Sequence, residues 1–249
     1  MARLCEDAIC LREAEWSETS QTVTLLTREH GLLRGLAKGS RRGRAEFSGG
    51  FEPLTRGELL AMVRPAGQLT LLTSWDLRET FPEIRSSLAV FHAAMYMADV
   101  VLHTMTEGDP HPRVFDALAG SLRELGPGPA RDAALASFQW SVLDDTGHRP
   151  ELHEDIRGRV PLRGASSHTF LPDLGGFTED TGPGGPGYRV RAETLAFLRR
   201  LEAGALLHEL ADQDPSTLER AARLLAVAVR HTAGREPPSL GFVFAETAV

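Results

Sequence analysis

The stretch from Gly31 to Arg44 reads Gly-Leu-Leu-Arg-Gly-Leu-Ala-Lys-Gly-Ser-Arg-Arg-Gly-Arg, and the N-terminal part of the chain is organised around it. Its first half is apolar and predicts a strand whose leucines pack on a core. Its second half predicts a flexible basic loop, because glycine and serine separate the cations there. Four cations arrive together in this loop: Lys38, Arg41, Arg42 and Arg44.

Such a cluster of cations needs an anionic partner, and the phosphate backbone of a nucleic acid is the obvious candidate. The alternative to nucleic-acid binding is that these cations only solvate a surface loop. The chain carries a net charge of -7, so it is not a general polycation. Any nucleic-acid surface must therefore be local, with the acidic residues segregated elsewhere.

The composition is that of a soluble globular protein, with 42% hydrophobic and 24% charged residues among 249. This length accommodates one large domain or two ordinary ones. The N-terminus has no apolar signal core, and no run approaches the roughly 20 apolar residues of a membrane helix. These features predict a cytoplasmic protein without a membrane segment.

Only two cysteines occur, Cys5 and Cys10. Their spacing places them on opposite faces of a regular strand, so we expect no disulfide between them. They are also too few for a four-cysteine zinc site. No spacing of cysteine and histidine predicts a metal ligand set, and no assembled group of catalytic residues is present. We therefore expect neither a bound cofactor nor an enzymatic activity.

Five short strands are predicted between Arg3 and Asp76, with turn signals at His30-Gly31 and Pro65-Ala-Gly67. This pattern predicts a small β-barrel of the oligonucleotide/oligosaccharide-binding (OB) type, and a small sandwich would give a similar pattern. The last predicted strand is Leu69–Thr73.

The pattern changes near Phe81-Pro82, where helical periodicity begins. Ser216 is the predicted N-cap of the last long helix, with Glu219 completing a capping box. The chain is thus of the α+β class, with a barrel domain in residues 1–80 and an α-helical domain in residues 81–249. Five amphipathic helices are predicted, at 88–105, 114–125, 133–145, 192–207 and 216–232.

Residues 150–188 form the least regular stretch, rich in glycine and proline, as in Gly182-Pro-Gly-Gly-Pro-Gly187. An irregular segment of this length inside a domain is uncommon. The sequence leaves two alternatives open for it, disorder or a small subdomain.

Several motifs together resemble the RecO family of bacterial recombination mediators. The most specific is Thr24-Leu-Leu-Thr-Arg-Glu-His-Gly31 followed by Ala37-Lys-Gly-Ser-Arg-Arg42. Gly50-Phe-Glu-Pro-Leu54, the segment from Leu143 to Pro150 and His231-Thr-Ala-Gly-Arg235 resemble later family motifs in the same order. The resemblance spans nearly the whole chain.

The resemblance implies a non-enzymatic function in DNA repair and homologous recombination. It implies binding of single- and double-stranded DNA, strand annealing, and help in loading RecA onto DNA coated by single-strand binding protein. The implied partners are RecR and the acidic C-terminal tail of single-strand binding protein, and the implied location is the cytoplasm, in association with the nucleoid. The alternative is an interaction adaptor of the recombination machinery with weak or no direct DNA binding.

Many members of this family carry two Cys-x-x-Cys pairs that bind zinc in the irregular region. Laying the family pattern on this chain puts Asp155 and Gly158 at the first pair and Glu179 and Gly182 at the second. All four thiols are missing. We therefore expect a degenerate zinc-finger-like insert in residues 150–188 that holds no metal and is mobile.

The candidate phosphate contacts are Arg34, Lys38, Arg41, Arg42 and Arg44, with Arg34 extending the basic track along the strand. Such contacts position a nucleic acid without reading its sequence.

For several other charged and aromatic side chains, the sequence allows either a functional or a purely structural role. Arg28 is expected to be neutralised by the adjacent Glu29. Trp16, Phe47 and Phe51 are candidates for stacking on bases, with core packing or loop cover as the alternative. Trp75 and Trp140 are predicted to be core residues. Asp144 and Asp145 sit at a helix end, where the dipole disfavours acids, and solvation is the only account that the sequence offers.

Overall fold

Antiparallel strands occupy most of residues 3–79 in the computed structural model, which describes residues 3–42, 46–48, 50–62, 68–205, 209–210 and 212–244. Long strands form here because β-branched and leucine residues alternate with polar ones. The strands are β1 (Arg3–Ser17), β2 (Ser20–Thr27), β3 (Gly31–Ala37), β4 (Phe47–Ser48), β5 (Arg56–Met62) and β6 (Thr70–Glu79).

Five of these strands close into a barrel, in the order β3-β2-β1-β5-β6. The barrel closes through parallel pairing of β3 with β6, from Gly35 opposite Thr70 to Ala37 opposite Leu72. The two-residue β4 adds a parallel pairing to β6. This closed five-stranded barrel confirms the predicted OB-type fold.

The barrel interior is filled by apolar side chains from all its long strands, including Val23, Leu25, Leu59 and Leu72. Trp75 is fully buried there, and the ring of Phe51 packs against it with centroids 4.9 Å apart. Burial of these side chains is the main stabilising contribution to the barrel.

The helical region begins after a 3-10 turn at Pro82–Arg85. The Ser87 hydroxyl caps the first helix by accepting from the amide of Val90, and the Asp214 carboxylate caps the last long one by accepting from the amide of Thr217. The predicted cap at Ser216 is wrong, because the helix begins at Pro215. The helices are α1 (Leu88–Thr104), α2 (Pro112–Glu124), α3 (Pro129–Asp145), α4 (Ala192–Glu202), α5 (Pro215–Ala233) and α6 (Leu240–Val243).

The helices and the outside of the barrel share one apolar core. Ile9, Leu26 and Leu32 on the outer surface of the barrel belong to the same buried cluster as Val100 and Val101 of α1. The amide of Gly108 also donates to the Leu32 carbonyl at 3.1 Å. Part of the barrel's outer face is thus covered by helices, and the remainder faces solvent. No helix within the described ranges is long and apolar enough to cross a bilayer.

Residues 151–191 form a small sheet with the strand order β10-β8-β9-β7. This finding favours the small-subdomain alternative, while the finger-like interpretation stays a prediction. The rings of Phe170 and Phe177 pack 5.2 Å apart and join the helical core. The four strands are β7 (Glu151–Asp155), β8 (Ser167–Leu171), β9 (Gly176–Glu179) and β10 (Tyr188–Arg191).

The buried carboxylate of Asp155 organises this sheet. It accepts hydrogen bonds from the amides of Arg157 (2.8 Å), Gly158 (2.7 Å) and Glu179 (3.0 Å), and from the hydroxyl of Thr178 (2.7 Å). Burial alone would raise the pKa of Asp155, but these four donors together lower it to about 2.

The residues of this subdomain do not fit a zinc ion. The Asp155 oxygens are already engaged by protein donors, and Gly158 and Gly182 offer no ligand side chain. Within the described part of the chain, no three histidine, cysteine or acidic side chains are grouped so that they could hold a metal. Cys5 and Cys10 are free, the first exposed and the second buried.

Candidate nucleic-acid interface

The basic stretch after β3 is fixed to the hairpin that joins β1 to β2. Ser40–Arg42 form a 3-10 turn. The Ser40 hydroxyl donates to the Gln21 side chain (3.0 Å), and the Arg41 amide donates to the Thr19 carbonyl (3.2 Å). The prediction of a flexible loop is therefore wrong as far as Arg42, because hairpin groups bind the turn. Gly43 and Arg44 lie outside the described residues.

Arg41 is paired with acidic residues at the rim of the barrel. Its guanidinium forms ion pairs with Glu15 and, at 3.8 Å, with Glu13. The hydrogen bond from Arg41 lowers the pKa of the Glu15 carboxyl. Much of the charge of Arg41 is therefore balanced within the barrel, and the residue also holds the turn on the hairpin.

Two further arginines, Arg12 and Arg34, lie on the outer face of the barrel. Arg12 on β1 is directly opposite Thr24 on β2, and Thr24 is directly opposite Arg34 on β3. Residues opposite each other in antiparallel strands point to the same face. Both arginines are exposed, and two strand spacings separate their backbones by about 10 Å.

Arg12 is the cation that the sequence prediction missed. A bulge between Cys10 and Arg12 interrupts the regular alternation of β1, so its face could not be assigned from the sequence. The name basic face is used below for Arg12, Thr24 and Arg34, together with Lys38, which follows β3, and Arg42 in the 3-10 turn.

The members of the basic face differ in how far their charge is balanced. Arg34 lies 3.5 Å from the carboxylate of Glu107, and both side chains are largely exposed (62% and 59%). Arg12, Lys38 and Arg42 are exposed, and their side chains form no ion pair with the residues that the structure describes. These three cations are therefore available to an external anion.

Arg28 is neutralised, as predicted, but by two carboxylates. It pairs with Glu29 at 2.6 Å and donates two hydrogen bonds to Asp116 on α2, at 3.0 and 2.8 Å. This contact ties β2 to the helical region. The adjacent acids Asp144 and Asp145 are likewise explained by partners, because Arg113, Arg149 and His111 donate to them.

The aromatic candidates separate cleanly by burial. Phe47, Phe51, Trp75 and Trp140 are buried, which confirms the core prediction for the two tryptophans. Trp16 is 61% exposed at the end of β1. Of the three candidates for base stacking, only Trp16 has its ring in solvent.

If the basic face binds single-stranded DNA, replacing Glu107 by glutamine is expected to raise the affinity about two- to threefold, because it frees Arg34 from an exposed ion pair of modest strength. Fluorescence anisotropy at low salt measures the change. Glu154→Gln is the matched control, since it removes one exposed charge from the four-stranded sheet. Equal affinities for the two variants would show that Arg34 does not contact the nucleic acid.

The closed OB barrel with a solvent-exposed basic face, followed by a helical region, defines an OB-fold protein of the kind that handles oligonucleotides or oligosaccharides. The family model for the N-terminal part of recombination protein O matches residues 1–81, and the model for its C-terminal part matches residues 85–241. The chain belongs to the RecO family.

Relatives named DNA repair protein RecO align along two thirds or more of the chain. One from an Anaeromyxobacter species is 30% identical over 238 residues, covering 94% of this chain and 92% of that protein. One from Myxococcus xanthus is 29% identical over 245 residues, covering 98% of both. A third, from Syntrophobacter fumaroxidans, is 34% identical over 170 residues, covering 68% of this chain and 67% of the relative. The family names support a role in DNA repair and recombination.

Proposed function

We propose that this chain is a recombination mediator that binds single- and double-stranded DNA through the basic face of its barrel. The observation that carries the proposal is the set of three exposed cations, Arg12, Lys38 and Arg42, without ion pairs in the described part of the chain. Arg34 joins them once Glu107 is displaced. The relatives are named DNA repair proteins, and these names indicate the process in which we propose that this chain acts.

The proposed mechanism is electrostatic and involves no covalent step. Cations on the basic face lower the repulsion between the phosphates of two strands, and base pairing supplies the free energy of annealing. Contacts of this kind position a backbone without reading bases. Annealing would therefore be independent of sequence, as a repair function requires.

The proposed protein partners follow from the family. RecR and the acidic C-terminal tail of single-strand binding protein are the direct partners, and RecA is loaded as a consequence. An acidic tail needs an apolar pocket with a basic rim, and we place that pocket in the helical region. Association with the nucleoid would follow from DNA binding.

Anisotropy of labelled single-stranded DNA across a salt series tests the DNA-binding proposal. The variant replaces by alanine the three exposed cations that form no ion pair with described residues, Arg12, Lys38 and Arg42. We expect affinity at low salt to fall at least about tenfold, and the slope of log affinity against log salt to fall by about 2, because each lost phosphate contact removes about 0.7.

A matched control removes three charges that are already balanced. Arg78, Arg85 and Arg113 each pair with a carboxylate, so their replacement by alanine changes net charge equally. We expect this control to keep most of the affinity and nearly the full salt slope. Equal losses in the two triple variants would mean that binding follows net charge and not the basic face.

An adaptor function with weak direct DNA binding is the second candidate. The observation that favours it is the pairing of Arg34 and Arg41 with Glu107, Glu13 and Glu15, in a chain with a net charge of -7. A native chain that fails to bind DNA at low salt would rule out the proposal above and favour the adaptor function.

A further inference from the structure

The exposed indole of Trp16 occupies a defined place at the tip of the β1–β2 hairpin. Four aromatic side chains lie between residues 3 and 79, and the other three are at most 7% exposed. A register shift between Glu15 and Ser17 marks a bulge at Trp16. Bulges re-aim side chains at functional surfaces, so the position of the ring follows from the backbone.

Trp16 emerges at the same end of the sheet as Lys38. Glu15, Gln21 and Ala37 are opposite one another across β1, β2 and β3. Because β1 and β3 run in the same direction, Trp16 and Lys38 each follow this row by one residue. Two strand spacings, about 10 Å, separate the backbones of Trp16 and Lys38. One residue can therefore contact a base while the other contacts a neighbouring phosphate of the same strand.

The charges at the hairpin tip suit a neutral base better than a phosphate. Glu15 and Glu13 share the single positive charge of Arg41, so one negative charge remains there, and Glu18 in the turn is exposed. An acidic turn repels phosphates, whereas an indole face attracts the π-face of any base. The cations that attract phosphates stand to one side, at Lys38 and Arg42.

We infer that Trp16 stacks on an unpaired base of single-stranded DNA while Lys38 and Arg42 hold the adjoining phosphates. This inference rests on the proposed function and deepens it, because it makes one residue responsible for preferring single strands. The bases of a duplex are already stacked and paired, so they offer no free face to the ring. Stacking at Trp16 is independent of sequence.

The test compares Trp16→Ala, Trp16→Phe and the native chain on labelled oligo(dT) and on a duplex of equal length. We expect Trp16→Ala to lose between about 5-fold and about 100-fold in affinity for oligo(dT). The duplex affinity and the salt slope should stay unchanged, because no phosphate contact is removed. Trp16→Phe should retain most of the affinity, since phenylalanine also stacks.

Intrinsic fluorescence provides an independent readout on the full chain. Trp75 and Trp140 are buried, so quenching by oligo(dT) reports mainly on Trp16. We expect saturable quenching in the native chain and its loss in Trp16→Phe, although that variant still binds.

The outcomes separate this inference from the proposed function. An oligo(dT) affinity that is unchanged in Trp16→Ala, while the Arg12, Lys38 and Arg42 variant loses affinity, overturns the stacking inference and leaves the proposed function standing. Equal losses on oligo(dT) and duplex also overturn it. A native chain that binds neither ligand overturns the proposed function and the inference together.

Discussion

Replacing Gly31 by alanine is expected to lower the free energy of unfolding by about 4 kcal/mol. Gly31 has a φ of +67°, and an added Cβ would lie 1.9 Å from the carbonyl oxygen of Asp109. The left-handed backbone costs an alanine about 1 kcal/mol, and the overlap forces the backbone of the α1–α2 loop to move at a cost of about 3 kcal/mol. Urea unfolding followed by circular dichroism measures the loss.

Gly108→Ala is the matched control for this prediction. Gly108 also has a positive φ, +78°, but no atom lies within 4 Å of the position that an added Cβ would take. Gly108 belongs to the same contact between β3 and the α1–α2 loop, because its amide donates to the Leu32 carbonyl. We expect it to lose only about 1 kcal/mol. Equal losses at the two sites would show that the close approach to Asp109 adds nothing to the conformational cost.

The strands and helices that the sequence predicted share strong local periodicity. α1, from Leu88 to Thr104, follows the predicted 88–105 closely, because its apolar spacing and the Ser87 cap act within one segment. β6 is longer than predicted and runs to Glu79. Its second half contains Asp76 and Arg78, which pair with each other on the exposed side, and this half lies beyond the predicted Leu69–Thr73.

The small sheet in residues 151–191 could not be predicted, because its strands are only four or five residues long. β7 pairs with β9 only at Glu151 with Gly176 and at Asp155 with Phe177. Such short strands carry no periodic signal of their own. The glycines and prolines between them are typical of irregular structure, although they form the turns that the sheet needs.

The sequence predicted which cations of the candidate interface are exposed to solvent. It could not predict which of them form ion pairs with carboxylates of the barrel. Lys38 and Arg42 are exposed, as a basic run between small residues suggested. The partners of Arg41 lie 26 residues earlier, at Glu15, and further back at Glu13. Only the barrel register brings them together, so the number of free cations could not be inferred from the run itself.

Replacing Asp155 by asparagine is expected to lower the free energy of unfolding by about 3 kcal/mol, because asparagine cannot accept from all four donors and carries no charge. The carboxylate joins the turn at Arg157 and Gly158 to the end of β9 at Thr178 and Glu179. It thereby connects the two segments, at Asp155 and Gly158 and at Glu179 and Gly182, where the resemblance predicted cysteine pairs and this chain has none. We expect an excess of EDTA to leave the unfolding midpoint of the native chain unchanged.

The pH dependence of this contribution follows from the depressed pKa of Asp155, about 2 in the folded chain against about 3.9 in the unfolded one. The folded state favours the ionised form, so its stabilisation of about 2.6 kcal/mol is complete above about pH 5. It is lost as the pH falls from there toward 2. The difference in stability between native chain and Asp155→Asn should therefore narrow on acidification.

Glu154→Gln is the control for Asp155→Asn, because it neutralises the preceding residue of the same strand. The side chain of Glu154 is exposed, so we expect a change within about 0.5 kcal/mol. If the two variants unfold at the same urea concentration, the Asp155 carboxylate does not stabilise the four-stranded sheet. If EDTA lowers the midpoint of the native chain, a metal contributes to its stability, and the four donors around Asp155 do not replace it.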